Sequence, residues 1–248
     1  MEQRARARGE DPKPTPGASI QAYLAKPEGS GPFPAIVVSP GCAGLTAYLK
    51  EALPQRLASW GYVALVIDSL TSRKIEPNCV KETASVDRVA DLFGGLFHLA
   101  ALPFVDRNRV GVMGMDRGAE AVLTLVGPLP EDWVFNPERL TFKAGVIYYP
   151  MCAEVSEKRR FPLLLQIGQL DQRSAARVCE NLAERKAGDS APIELAVYPD
   201  AHHGFDEPQW GAGQDMFGYR TEYNQKAAED ALSHAQDFLA RNLSQSAR

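Results

Sequence analysis

The run Gly114-Met115-Asp116-Arg117-Gly118 sets an aspartate between glycines two residues before and two after it. Glycines so placed let a strand and the helix after it approach closely, while the central residue takes a strained conformation and projects outward. Such a turn presents a nucleophile, usually Ser or Cys; here the residue is Asp116. Two partners follow in order. Asp171 closes Gly168-Gln169-Leu170-Asp171, and His203 lies in Pro199-Asp200-Ala201-His202-His203-Gly204-Phe205-Asp206. An acid that orients a histidine and a histidine that moves protons are the groups such a nucleophile needs.

A carboxylate at this position restricts the chemistry. Attack on an ester carbonyl gives a tetrahedral adduct whose better leaving group is the carboxylate itself, pKa about 4 against about 15 for an alkoxide, so the adduct mostly reverts. At saturated carbon the same group displaces halide or opens an epoxide in one step and leaves an alkyl ester on the enzyme. His203, held by Asp171, would then deprotonate a water that attacks the acyl carbon of that ester, with backbone amides holding the oxyanion. Asp116 at a helix amino terminus beside Arg117 should stay ionised, as a nucleophile must.

These residues need a scaffold that ends strands at one edge. The continuous apolar runs Ala35 to Val38, Val63 to Ile67, Val110 to Met113, Ala144 to Tyr149, Leu163 to Ile167 and Ile193 to Tyr198 read as strands buried on both faces. Between them, Val86, Val89, Ala90, Phe93, Leu96, Phe97 and Ala100 recur at helical spacing, as do Ala228, Ala231, Leu232, Ala235, Phe238 and Leu239 near the end. Alternation of this kind predicts an α/β fold with a mostly parallel central sheet flanked by helices. Each acid or histidine then follows a strand, where open α/β sheets place their sites. Residues 1–17, charged and Pro-rich, read as a flexible arm, and residues 18–248 as a single domain. Thr71 to Thr83, Gly127 to Thr141 and Glu207 to Tyr219 are the irregular segments that would supply lids and site walls.

Composition narrows the classes. The chain has 248 residues with 45% hydrophobic content and a formal charge of −4, which suits a globular protein and offers no basic face for nucleic acid. No stretch approaches the roughly 20 apolar residues of a membrane helix. The basic amino terminus has no apolar run behind it and does not read as a signal peptide, so the expectation is a cytoplasmic protein. Cys42, Cys79, Cys152 and Cys179 show no CxxC spacing and read mostly as buried thiols, with a bridge between Cys152 and Cys179 left to the fold. No metal or organic cofactor is expected, and the partner is a small-molecule substrate.

Taken together, Pro40-Gly41-Cys42-Ala43-Gly44-Leu45, Gly61-Tyr62-Val63 leading to Asp68-Ser69, Gly111-Val112-Met113-Gly114, Tyr149-Pro150, Gly168 with Asp171, and Tyr198-Pro199 with His203-Gly204-Phe205-Asp206 resemble the dienelactone hydrolase family of the α/β-hydrolase fold. The resemblance runs from about Ile20 to Leu239. It implies His203 as catalytic histidine, Asp171 as its orienting acid, and the backbone amides of Cys42 and Arg117 as oxyanion donors. Asp116 departs from the Ser or Cys of that family. The Asp-Arg-Gly run resembles instead the elbow of fluoroacetate dehalogenases, and Asp elbows are similarly found in haloalkane dehalogenases and epoxide hydrolases.

The leading expectation is a hydrolase with an Asp116, His203 and Asp171 triad that dehalogenates small haloacids such as fluoroacetate. The alternatives are an ester or lactone hydrolase in which Asp116 replaces a Ser or Cys, and a non-catalytic binder of a small ligand. Arg117 is a candidate for a substrate carboxylate and Trp210 for a leaving halide. His202, His98 and His234 read as structural or solvated, Tyr148 and Tyr149 as core, Cys42 as an apolar wall, and Lys158-Arg159-Arg160 as a solvated loop.

Overall fold

The computed structural model describes residues 19–79, 86–130, 133–152, 156–185, 188–216 and 218–244. The proposed arm at 1–17 and the end of the Thr71 to Thr83 segment lie outside these. The strands are β1 (Gln21–Ala25), β2 (Phe33–Ser39), β3 (Val63–Asp68), β4 (Val105–Met115), β5 (Gly145–Tyr148), β6 (Leu163–Gly168) and β7 (Ile193–Tyr198). They form one sheet of order β1-β3-β2-β4-β5-β6-β7, parallel except for β1, which runs antiparallel to β3. The helices are α1 (Leu53–Ser59), entered through a π-turn at Tyr48–Ala52, then α2 (Arg88–Ala100), α3 (Arg117–Val126), α4 (Ala176–Glu184) and α5 (Gln225–Leu243).

The apolar runs explain the central strands. β3, β5 and β6 are buried along their whole length, because helices cover both faces. Sequence reading found six strands and missed β1. That strand is short and lies largely exposed on the sheet edge, so it carries no apolar run. β4 also begins earlier than its apolar part, because Asp106-Arg107-Asn108-Arg109 extends the strand through polar residues. A small hairpin, β8 (Gln214–Met216) with β9 (Tyr219–Thr221), lies within the Glu207 to Tyr219 segment and its exit. In α2 the buried face is set by Val89, Leu92, Phe93, Leu96 and Leu99, rotated from the expected stripe, which left out Leu92 and Leu99. The α5 stripe packs as expected, with Ala228, Ala231, Ala235, Phe238 and Leu239 buried. Side chains cap both long helices: Asp87 accepts from the Ala90 N–H at 2.9 Å and Asn224 from the Ala227 N–H at 3.0 Å.

Two corrections concern polar and sulfur side chains. The cysteines are not buried thiols: Cys42 is bonded to Cys79 and Cys152 to Cys179, with Cα atoms 4.9 and 5.0 Å apart. The partners are 37 and 27 residues apart in the chain, and only the parallel topology brings neighbouring strand exits together. Within Lys158-Arg159-Arg160, Arg159 is buried rather than solvated. It donates from Nε to the Ala191 carbonyl and from Nη2 to the Arg185 carbonyl, both at 2.8 Å, and so ties the entry to β6 to the segment before β7.

Candidate active site

Asp116 sits at the junction of β4 and α3 with φ 49° and ψ −114°, a region that costs a non-glycine residue of order 1–3 kcal/mol. The flanking glycines are required by contact. A Cβ on Gly118 would lie 2.0 Å from the Ser39 carbonyl oxygen, and one on Gly114 would lie 2.5 Å from that of Gly118. β2, β4 and α3 therefore pack too closely for any side chain there, and the aspartate is pushed toward the strand exits.

Its carboxylate is almost fully enclosed, at 4% exposure. Oδ2 accepts the Cys42 backbone N–H at 2.8 Å. Oδ1 faces Nη1 of Arg173 at 2.6 Å in an ion pair and Nε2 of His203 at 3.8 Å. His203 Nδ1 lies 2.8 Å from Asp171 Oδ2. With a carboxylate as acceptor, Nδ1–H donates, and Nε2 faces Asp116. Asp171 Oδ1 accepts the backbone N–H groups of Arg173 and Ser174, each at 2.8 Å, so the acid is itself fixed by the turn that follows β6. The imidazole is held on its sides by Tyr149 and Tyr219, with ring centroids 4.5 and 5.0 Å away and edge-on.

The predicted residues thus converge from three strand exits, with two differences. Arg117 opens α3 beside Asp116, and its side chain pairs with Glu120 at 2.9 Å. Trp210 packs on the backbone at Gly204, where a Cβ would meet its Nε1 at 2.6 Å, and does not line the cavity described next. His234 is exposed, and its Nδ1 lies 2.8 Å from the Tyr198 hydroxyl, in keeping with the structural or solvated reading. The Cys42 N–H donates to Asp116 itself, and its side chain is a disulfide, not a free wall thiol.

Next to the elbow, at the start of α3, opens a cavity of about 320 Å³ lined by Cys42, Asp87, Arg88, Arg117, Glu120 and Trp133, among others; Asp116, Asp171 and His203 do not line it. Trp133 lies over it, and its Nε1–H donates to Asp87 Oδ2 at 3.0 Å, which ties the Gly127 to Thr141 segment to the start of α2. Arg88 donates to the carbonyls of Pro40 and Gly41 at 3.2 and 3.4 Å and makes no ion pair among the described residues. Burial lowers its guanidinium from the ordinary range, against the pull of Asp116 and Asp91.

Sequence reasoning missed Arg173, Arg88 and a second acidic group. Asp206 and Glu207 lie behind His203, both buried. The Tyr149 hydroxyl donates to Glu207 Oε1 at 3.2 Å, Gln209 donates to Oε2, and Oδ1 of Asp206 has no hydrogen-bond partner among the described residues. Burial pushes the pair up, Asp206 to about 6 and Glu207 to about 7, the latter helped by its acidic neighbour. Asp206 was visible within the His203 motif, but nothing in the spacing showed which acids would be enclosed.

Residues 20–243 match the dienelactone hydrolase family. The chain belongs to that family. As a dienelactone hydrolase family member it is a hydrolase with the α/β-hydrolase fold. It is 24% identical to a protein of Methylorubrum extorquens provisionally named carboxymethylenebutenolidase, over 93% of this chain and 80% of that one. It is 26% identical to a Bradyrhizobium protein provisionally named 2-oxo-3-(5-oxofuran-2-ylidene)propanoate lactonase, over 92% of each. Among solved structures, a protein of Klebsiella pneumoniae provisionally named dienelactone hydrolase superposes with a TM-score of 0.68 at 22% identity, covering 90% of this chain and 93% of that one. The propionate-bound esterase 2 of Thermogutta terrifontis also gives 0.68, at 18% identity and 94% and 97% coverage.

Proposed function

We propose that this hydrolase cleaves small esters or lactones that carry a carboxylate, through Asp116, His203 and Asp171, with the Cys42 and Arg117 amides as oxyanion donors. The observation that carries the reading is the convergence of two groups at one carboxylate, an N–H on one oxygen and a histidine ordered by a second acid facing the other, with a cavity lined by Arg88 and Arg117 next to the elbow. The relatives support the substrate class, because they are named for lactone hydrolysis and one name contains a propanoate. Arg88 is placed to receive that substrate carboxylate, since it lines the cavity and makes no ion pair among the described residues.

Asp116 would attack the carbonyl, and the adduct would go forward only when the departing oxygen is stabilised. An enolate or phenolate, with a pKa near 10, competes with the carboxylate far better than an alkoxide. The mixed anhydride so formed is hydrolysed by a water whose proton passes to His203, returning Asp116 and the product acid. One observation favours a second reading, displacement at saturated carbon: with Oδ2 on the Cys42 N–H, the carboxylate already holds in the donor the oxygen that becomes the oxyanion when an alkyl ester of Asp116 is hydrolysed. The relatives and structures above are named for lactone and ester hydrolysis and give the haloacid substrate no support.

Product release from a carboxylate-bearing lactone, a nitrophenyl ester and chloroacetate, with Asp116→Asn alongside, tests both. Acid release from the lactone or ester that is lost in the Asn variant is expected. Halide release without ester or lactone cleavage would install the second reading, and silence across the panel would overturn both.

A further inference from the structure

His203 faces more negative charge than a serine or cysteine triad would give it. Asp171 Oδ2 stands 2.8 Å from Nδ1 and Asp116 Oδ1 3.8 Å from Nε2, while Glu207 lies within electrostatic reach behind the ring. The other groups against the imidazole, Tyr149 and Tyr219, are phenols that burial pushes above their ordinary range, so they add no charge. A neutral Ser or Cys at the elbow would leave the ring beside one catalytic carboxylate. An aspartate makes two, and an imidazole flanked by two anions takes up a proton and keeps it. A protonated ring cannot accept a proton from water.

Arg173 meets that problem. Its Nη1 is 2.6 Å from Asp116 Oδ1, nearer than His203, and its Nη2 is 3.1 Å from Glu120 Oε1. Its side chain is 7% exposed, so solvent screens the pair little. Its backbone is set by Asp171, which orients the histidine with one oxygen and the arginine's turn with the other.

We propose that Arg173 is a positioning residue that keeps His203 in its base form by claiming the carboxylate of Asp116. The proposal rests on the reading that His203 deprotonates the hydrolytic water. It explains how an acid can stand at this elbow without disabling the base next to it. Once Asp116 is acylated or alkylated its charge is gone, and Arg173 and Glu120 remain paired while His203 works.

The test reads the ring nitrogens of His203 by NMR with 15N-labelled histidine near neutral pH, beside steady-state turnover. In the parent and in Arg173→Lys, Nε2 should be unprotonated. In Arg173→Met both nitrogens should carry protons, and adding Asp116→Asn to that variant should return Nε2 to the unprotonated form. Turnover in Arg173→Met should fall about 100-fold in kcat with KM little changed, and Arg173→Lys should recover most of it. An unchanged Nε2 signature in Arg173→Met overturns the proposal, whatever happens to activity. Should that variant fail to fold, Arg173→Gln carries the same expectations. A parent that cleaves no ester or lactone would defeat the proposed function, yet the ring signature would still decide the role of Arg173.

Discussion

Two groups of buried acids lie around His203, and the fold treats them differently. Asp116 receives a backbone N–H and a guanidinium, whereas Asp206 and Glu207 receive a phenol, an amide and each other. Both are removed from water, so the difference lies in the partners supplied. A carboxylate given a cation and an N–H is equipped to act as an anion. A pair given no cation is pushed up toward neutral pH by burial, Asp206 to about 6 and Glu207 to about 7. Enclosure alone therefore does not mark a reactive acid; the groups aimed at it do.

The largest expected effect breaks the reactive side. His203→Ala should lower kcat on any accepted substrate by about 100-fold to 10,000-fold, and Asp171→Asn should fall in the same range. Steady-state kinetics on the best substrate of the panel checks this. A fall under about tenfold for His203→Ala would remove it from the proton-transfer role.

Arg88 sharpens the assignment of the cavity. Replacing it with Met should raise KM for a carboxylate-bearing ester by about 10-fold to 100-fold, the worth of a charge-assisted hydrogen bond. KM for a neutral ester of the same size should change little. Equal losses on both would mean that Arg88 only supports the loop at Pro40 and Gly41.

The pH dependence of stability tests the other side. Folding raises the pKa of Asp206 and Glu207, so between their unfolded values near 4 and about 7 the folded state binds more protons than the unfolded state. Their contribution therefore favours folding at low pH and is lost as pH rises to about 7. Asp206→Asn with Glu207→Gln should flatten that fall in a urea-unfolding series across this range. A parent whose stability shows the same slope as the double variant would contradict the assignment.

The disulfides give the smallest expected effect on chemistry and a separate one on stability. Opening Cys152–Cys179, which closes a loop of 27 residues, should cost about 3 kcal/mol on the chain-entropy account. Thiol titration of the denatured, unreduced protein should find no free cysteine, and four reactive thiols would restore the original reading.

Much of this was legible in the chain. Apolar runs placed six of the seven strands of the sheet, the edge strand β7 included, and the glycines around Asp116 and the Gly-Phe after His203 placed the elbow and histidine. What was not legible has common causes. β1 is an exposed edge strand and carries no buried run. Cys42 and Cys79 meet because the adjacent strands β2 and β3 end side by side, and Arg173 and Asp116 because β4 and β6, one strand apart, end at the same edge of the sheet. Arg159 and Glu207 are charged residues whose burial depends on partners far off in the chain, and residue type alone reads them as solvated.

The central claim is that the surroundings of Asp116 form an acyl-transfer site. Cleavage of a nitrophenyl ester by Asp116→Ser, compared with the parent, tests it most directly, because a serine alkoxide adduct does not revert in favour of the enzyme as a carboxylate adduct does. A rise of orders of magnitude is predicted, carried by His203, Asp171 and the Cys42 N–H. A folded Asp116→Ser protein no faster than the parent would contradict the account.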